Sequence, residues 1–253
     1  MEKLKIAQTK MTNMLGVFHN ICLKLNIRYW CSGGTLIGAV RHSGFIPWDG
    51  DVDVGMLEED FKILETHIQD EQPSSMYFFG KRMPGLANIR DLYSSYTDSL
   101  DNYRHYGLQI DIFIYKLHEE NGESKIRSVE YWLKCYNEDW YNYKDMFPLK
   151  ITKFGHTDVY IPNEIEKICK YSYGGYPPPI PSFKYQICHE GAIDPVNPAY
   201  YYRILFKEIY KKRHSNGLVN WQKKALTFSI IYQKGPVSLR QNGVIYVMGF
   251  FLE

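Results

Sequence analysis

The feature that most restricts how this chain can fold is the run Trp48-Asp49-Gly50-Asp51-Val52-Asp53-Val54-Gly55, in which carboxylates recur at every second position. Side chains on a strand alternate between its faces, so Asp51 and Asp53 share one face while Val52 and Val54 enter a core. Two carboxylates this close repel each other unless a cation lies between them. Hard oxygen ligands of this kind suit Mg²⁺ or Mn²⁺, which keep positions open for phosphate oxygens. A solvated acidic turn is the alternative, and the regular alternation with valine argues against it. Asp49 keeps the two-residue period but lies between Pro47-Trp48 and Gly50. It is expected to stabilise the loop or to stand behind the ligands.

Upstream, Ser32-Gly33-Gly34-Thr35-Leu36 joins a strand to a helix. Glycine there lets backbone amides approach a phosphate, and a helix N-terminus supplies partial positive charge. The same residues also fit a tight turn in which Ser32 or Thr35 caps the helix. Phosphoryl chemistry calls for a third acid. Leu108-Gln109-Ile110-Asp111-Ile112-Phe113-Ile114-Tyr115 offers Asp111, on the strand face opposite Ile110, Ile112 and Ile114. An acid among such apolar residues is costly unless paired or metal-bound; satisfaction by a neighbouring Arg or Tyr is the other possibility. Arg41 and His42 lie between the glycine turn and the acids, within reach of a diphosphate if their loop folds over the site, where arginine would bind it in bidentate fashion. Lys81, Arg82 and Arg90 are further phosphate partners on a neighbouring strand, each equally readable as a surface charge, with Lys81 preferred.

Around these residues the periodicities describe an α/β (α+β) chain with a mixed sheet flanked by helices. Residues 4–25 carry apolar side chains at helical spacing; 28–32, 51–56, 76–80, 87–92 and 108–115 read as strands, 35–40 as a turn or two of helix and 58–68 as a helix. Beyond about Glu119 the pattern becomes helical and tyrosine-rich, with a hairpin over 151–161, a helix over 164–171 and an extended proline segment over 174–181. Helices over 200–212 and 221–232 and a terminal strand complete it. The division expected is a catalytic core at 1–118 and a largely helical C-terminal part at 119–253 that completes the substrate cleft.

Composition narrows the function classes. The net charge of +2 gives no strong single-sign field to gather nucleic acid or an anionic membrane. The basic run Lys211-Lys212-Arg213-His214 fits a helix C-terminus. The five cysteines lie far apart with no C-x-x-C pair, so reduced, buried thiols in a soluble, reducing compartment are expected. The 22 tyrosines are scattered and cannot by themselves specify an aromatic cage for a choline cation. No apolar run reaches the length of a membrane span.

The stretch from Ser32 to Gly55, SGGTLIGAVRHSGFIPWDGDVDVG, resembles the signature of the LicD family of phosphocholine transferases and fukutin-type enzymes. Ile110-Asp111-Ile112-Phe113, Phe147-Pro148-Leu149, Ile161-Pro162 and Tyr173-Gly174-Gly175-Tyr176 are also similar, so the resemblance covers roughly residues 5–181. It implies a nucleotidyltransferase fold and transfer of a phospho-substituent from a CDP-linked donor to a glycan hydroxyl, with release of CMP. It maps the paired acids onto Asp51 and Asp53 and the later strand acid onto Asp111. Fukutin-type members can carry a cysteine-rich zinc element, which this sequence lacks. An NMP transferase and an inactive nucleotide-binding module are the alternatives.

Overall fold

A computed structural model describes residues 2–97, 104–105, 107–129, 140–180 and 193–196. The first helix, α1 (Glu2–Lys24), buries Leu4, Ala7, Met11, Met14, Leu15, Phe18, Ile21 and Cys22. Their three-and-four spacing makes one continuous apolar stripe. Each large side chain so buried contributes about 2 kcal/mol, and the stripe anchors α1 on the sheet.

That sheet comprises β1 (Tyr29–Cys31), β2 (Val52–Leu57), β3 (Met76–Met83), β4 (Leu86–Asp91) and β7 (Gln109–Glu120), in the order β1-β2-β7-β4-β3. The far half of β7 also pairs with β8 (Glu123–Ser128), and β8 with β9 (Trp140–Asn142). Two shorter pairings add β5 (Ser95–Thr97), β6 (Arg104–His105) and β12 (Ile193–Asp194) as a small separate sheet. β2 and β7 run parallel while every other pair is antiparallel. The architecture is thus α+β with a mixed sheet flanked by helices, as expected.

Between β1 and β2 comes α2 (Gly33–His42), between β2 and β3 α3 (Glu58–Glu71), and after β9 the single turn α4 (Tyr143–Met146). The hairpin β10 (Lys150–Phe154) and β11 (Thr157–Ile161) precedes α5 (Ile165–Tyr173). The core lies on the sheet face formed by Val52, Val54, Ile110, Ile112, Ala87 and Ile89, all fully buried, against Phe18, Phe61, Leu64 and Ile68. The apolar alternation that the sequence shows on β2 and β7 is therefore what commits their opposite face to polar chemistry.

Three expectations change. The helix expected at 35–40 starts two residues earlier, at Gly33, so the glycines form its first turn. The segment after Glu119, read as helical, begins with β8 and later β9. The short, charged run Glu123-Ser124-Lys125-Ile126-Arg127-Ser128 buries only Ile126 and Ser128, too weak an alternation to read as a strand. The division expected after residue 118 falls inside β7, whose pairing with β8 carries the sheet across it. The expected helices over 200–212 and 221–232 and the terminal strand lie outside the described residues. Among the described residues no helix is long and apolar enough to cross a membrane. Cys22, Cys31 and Cys169 are buried free thiols, in keeping with the sequence reading.

Candidate active site

Parallel pairing sets Asp53 directly opposite Asp111, flanked by Val52 opposite Ile110 and Val54 opposite Ile112. Parallel register and the two-residue period therefore place both acids on the face away from the core. On the next strand Asn88 is opposite Asp111, and Arg90 opposite Gln109. The polar face thus extends over three strands: Asp53 on β2, Gln109 and Asp111 on β7, Asn88 and Arg90 on β4.

The glycine turn closes over this face. Gly33 has φ +50, a conformation that costs other residues roughly 1–2 kcal/mol. A Cβ built there would stand 2.5 Å from Asp53 Oδ2, and one on Gly34 would stand 2.6 Å from Asp49 Oδ2. A side-chain carbon at either position would have to displace a carboxylate oxygen, so the first turn of α2 lies directly against Asp53 and Asp49. Two further bonds fix the approach: Ser32 N donates to Asp53 O at 3.0 Å, and Asp53 N donates to Thr35 Oγ1 at 2.8 Å. Ser32 occupies the N-cap position but its side chain makes no capping hydrogen bond. The capping alternative is therefore not what holds this turn; Thr35 instead ties the helix to the acid strand.

Electrostatically the cluster is strained. Burial, together with the charges of Asp51, Asp111 and Asp49, pushes the Asp53 carboxyl well above the usual carboxylate range. Asp49 is pushed up to about 8 by burial and by Asp51 beside it. Its Oδ1 accepts from Gly50 N at 3.0 Å, while Oδ2 is buried with no hydrogen-bond partner among the described residues. Asp49 therefore belongs to the acid cluster rather than to the supporting loop alone. Gln109 Nε2 donates to Asp111 Oδ2 at 2.7 Å. Among the described residues no three His, Cys, Asp or Glu side chains are gathered so that they could hold a metal ion as they stand. What the backbone supplies is an open row of acids whose mutual repulsion a cation would relieve.

Sequence reasoning missed two supporting residues. Gln8 on α1 directs its amide nitrogen at the carbonyls of Ile46, Pro47 and Asp49, at 3.3, 3.4 and 2.9 Å, and so holds the loop that delivers the acids. No local signal marks it, because its partners lie 38 to 41 residues away. Tyr173, at the end of α5, donates its hydroxyl to Gly33 O at 3.2 Å.

Other candidates separate from the acids. Arg41 and His42 are exposed in the last turn of α2, and Arg41 Nη1 donates to Pro178 O at 3.0 Å. Eight helical positions separate Arg41 from Gly33, roughly 12 Å at 1.5 Å per residue, so the pair stands at the end of α2 away from the glycine turn. Tyr173 and Pro178 together lay the end of α5 and the proline segment along the whole of α2. Arg90 is no surface charge: it is 2% exposed, and its Nε donates to Asn88 Oδ1 at 3.1 Å. Lys81 pairs in register with Ala87 on β3, two strands from β7; its side chain and that of Arg82 lie outside what the structure describes.

A family model described as LicD/FKTN/FKRP, nucleotidyltransferase domain, matches residues 26–164. The chain is 35% identical over 123 residues to the lipopolysaccharide cholinephosphotransferase LicD of Haemophilus influenzae, covering 46% of either protein. It is 33% identical over 144 residues to an uncharacterised protein of Rickettsia typhi, covering 57% of this chain and 39% of that one. A 34-residue segment is 59% identical to the human ribitol 5-phosphate transferase FKRP, covering 13% of this chain and 7% of the relative. The matched segment thus spans less than half the length of each of these relatives. The family match runs from the strand before the glycine turn to the end of the hairpin and takes in both acid strands, more than half of the chain; the protein belongs to the LicD/FKTN/FKRP nucleotidyltransferase-domain family.

Proposed function

We propose that the protein transfers a phospho-substituent, of phosphocholine or alditol-phosphate type, from a CDP-activated donor to a sugar hydroxyl of a glycan, releasing CMP. The observation that carries the reading is the register of the parallel pair: Asp53 and Asp111 are direct partners on one sheet face, and Gly33 at the start of α2 lies against Asp53. The names of the Haemophilus and human relatives, a cholinephosphotransferase and a ribitol 5-phosphate transferase, support transfer of a substituted phosphate.

Whether the residues fit a divalent cation is a question of donor chemistry. Asp51, Asp53 and Asp111 offer hard oxygens, and the neighbouring carboxylates that push the Asp53 carboxyl up set a repulsion that a cation would offset. They fit. Mg²⁺ or Mn²⁺ held there would polarise the phosphoryl oxygens and offset charge developing on the leaving nucleotide. The chain's own groups do the rest. Amides at the start of α2 receive phosphate oxygens at the positive end of the helix, and Thr35 keeps the Asp53 backbone in place. The acceptor hydroxyl oxygen bonds to the donor phosphorus while the bond to CMP breaks, and CMP departs with the bridging oxygen. Asp111 completes the ligand set, and the hydroxyl proton passes to solvent or to a carboxylate.

The test is to incubate the purified protein with Mg²⁺, a glycan acceptor and a panel of nucleotide diphosphate-linked donors. Free CMP and a phospho-modified glycan are expected, with cytidine donors preferred over adenosine and guanosine. A nucleotide retained on the acceptor would identify an NMP transferase instead. Donor binding with no turnover on any acceptor would identify an inactive module.

A further inference from the structure

Asp111 stands on the central strand, with Asp53 beside it on β2 and the amides Gln109 and Asn88 as its neighbours on the other side. Gln109, two residues earlier on the same face, donates Nε2 to Asp111 Oδ2 at 2.7 Å. Across the antiparallel β4–β7 pair, Gln109 is opposite Arg90 and Asp111 is opposite Asn88. Arg90 Nε in turn donates to Asn88 Oδ1 at 3.1 Å. The four residues thus make a rectangle of two cross-strand pairs, each long edge closed by a hydrogen bond. Asn88 is 0% exposed and Arg90 2%, so β4 holds its half rigidly in the protein interior. Asn88 Nδ2 and Gln109 Oε1 are buried with no hydrogen-bond partner among the described residues. Leaving buried amide atoms unsatisfied is destabilising. An apolar pair would fill the same space without that cost.

We infer that Gln109 is a positioning residue: it fixes the orientation of the Asp111 carboxylate so that this acid meets a divalent cation together with Asp53. The inference rests on the metal reading above. It explains why amides occupy this face although the core face of the same strands is wholly aliphatic. A carboxylate on a strand can rotate about its side-chain torsions, and a donor bound to one oxygen removes that freedom before any ligand arrives. Gln109 touches neither cation nor substrate in this role; its effect passes through Asp111.

The experiment is a double-mutant cycle read by Mn²⁺ binding, following free Mn²⁺ by electron paramagnetic resonance with no donor or acceptor present. Gln109→Met keeps length and volume but removes the donor; Gln109→Glu, also without the donor when ionised, serves if the Met variant loses its native circular dichroism. Partners behind metal ligands typically govern 10–100-fold in affinity, and a loss of that size is expected in Gln109→Met. Asp111→Asn should weaken Mn²⁺ binding at least as much. Adding Gln109→Met to Asp111→Asn should then change nothing further, because the glutamine acts only through the acid. Losses that multiply in the double variant would mark Gln109 as a general structural residue and overturn the inference. So would a Gln109→Met titration that overlays the wild type. A wild-type protein that binds no Mn²⁺ at millimolar concentration would instead overturn the metal reading, and this inference with it.

Discussion

The two ends of α2 belong to one unbroken stretch of sequence, yet they have opposite surroundings. At the N-terminal end Gly33 and Gly34 are pressed so closely against Asp53 and Asp49 that no side-chain carbon fits. At the C-terminal end Arg41 and His42 are exposed, and Arg41 is held by the carbonyl of Pro178. Ten residues of helix suffice to carry half of a contiguous motif away from the chemistry. Contiguity in sequence is therefore no measure of proximity to a site when a helix lies between. Arg41, which looked well placed to bind phosphate, instead braces the proline segment.

The sharpest way to break this comparison is at the acids themselves. Asp53→Asn removes one ligand charge without changing volume and leaves the Thr35 bond to the backbone nitrogen in place. Turnover in the donor assay should fall about a thousandfold, the equivalent of about 4 kcal/mol of lost transition-state stabilisation, while circular dichroism is unchanged. Wild-type turnover in this variant would end the metal assignment.

The second test contrasts the ends directly. Gly33→Ala places a methyl group against Asp53 Oδ2 at a positive φ, and should cost roughly 1–2 kcal/mol of stability and at least tenfold in turnover. Arg41→Ala, at the far end, should leave donor KM within about threefold and stability within about 0.5 kcal/mol. A collapse of donor binding in Arg41→Ala would show that the proline segment or the α2 C-terminus reaches the donor after all.

The smallest effect sharpens the electrostatic side. Asp49 is raised to about 8 in the folded, metal-free protein, against roughly 4 in an unfolded chain. The folded state therefore keeps a proton that the unfolded state loses, so the stability this group contributes is present below about pH 4 and is lost as pH rises toward 8. Asparagine has no such proton to lose. In EDTA, Asp49→Asn should gain on the wild type in melting temperature by a few degrees between pH 5 and pH 8. A gap that does not change with pH would mean that Asp49 is not strained by its neighbours.

α1, β2 and the first half of β7 were legible because each has an unambiguous period, whereas β5 and β6, of three and two residues, are too short to show one. The stripe on α1, the aspartate–valine alternation of β2 and the isoleucine alternation of β7 all report a core on one side. The placement of Asp53 and Asp111 on one sheet face was legible for the same reason, whereas Asp51, expected on the same strand, lies just before β2 begins at Val52. Arg90 was not legible, because an arginine on a strand reads as solvated until its cross-strand partner is known. Gln8 and Gln109 were passed over because their roles depend on where a third residue lies. β8 and β9 were missed because tyrosine and charged residues obscured an alternation that buries very few side chains.

The placement of β7 between β2 and β4 has a consequence for transplanting this site. Residues 29–57 contain the glycine turn and two of the three acids in one compact strand–helix–strand unit, which makes them look like a module that could be grafted elsewhere. As an excised fragment, however, β2 would present to water the hydrogen-bonding edge that β7 covers in the whole protein. Such an edge, rich in valine and methionine, invites pairing with other copies. Any host for this motif must therefore already own a parallel strand with an acid in register, so the portable unit is the β2–β7 pair together with its intervening chain.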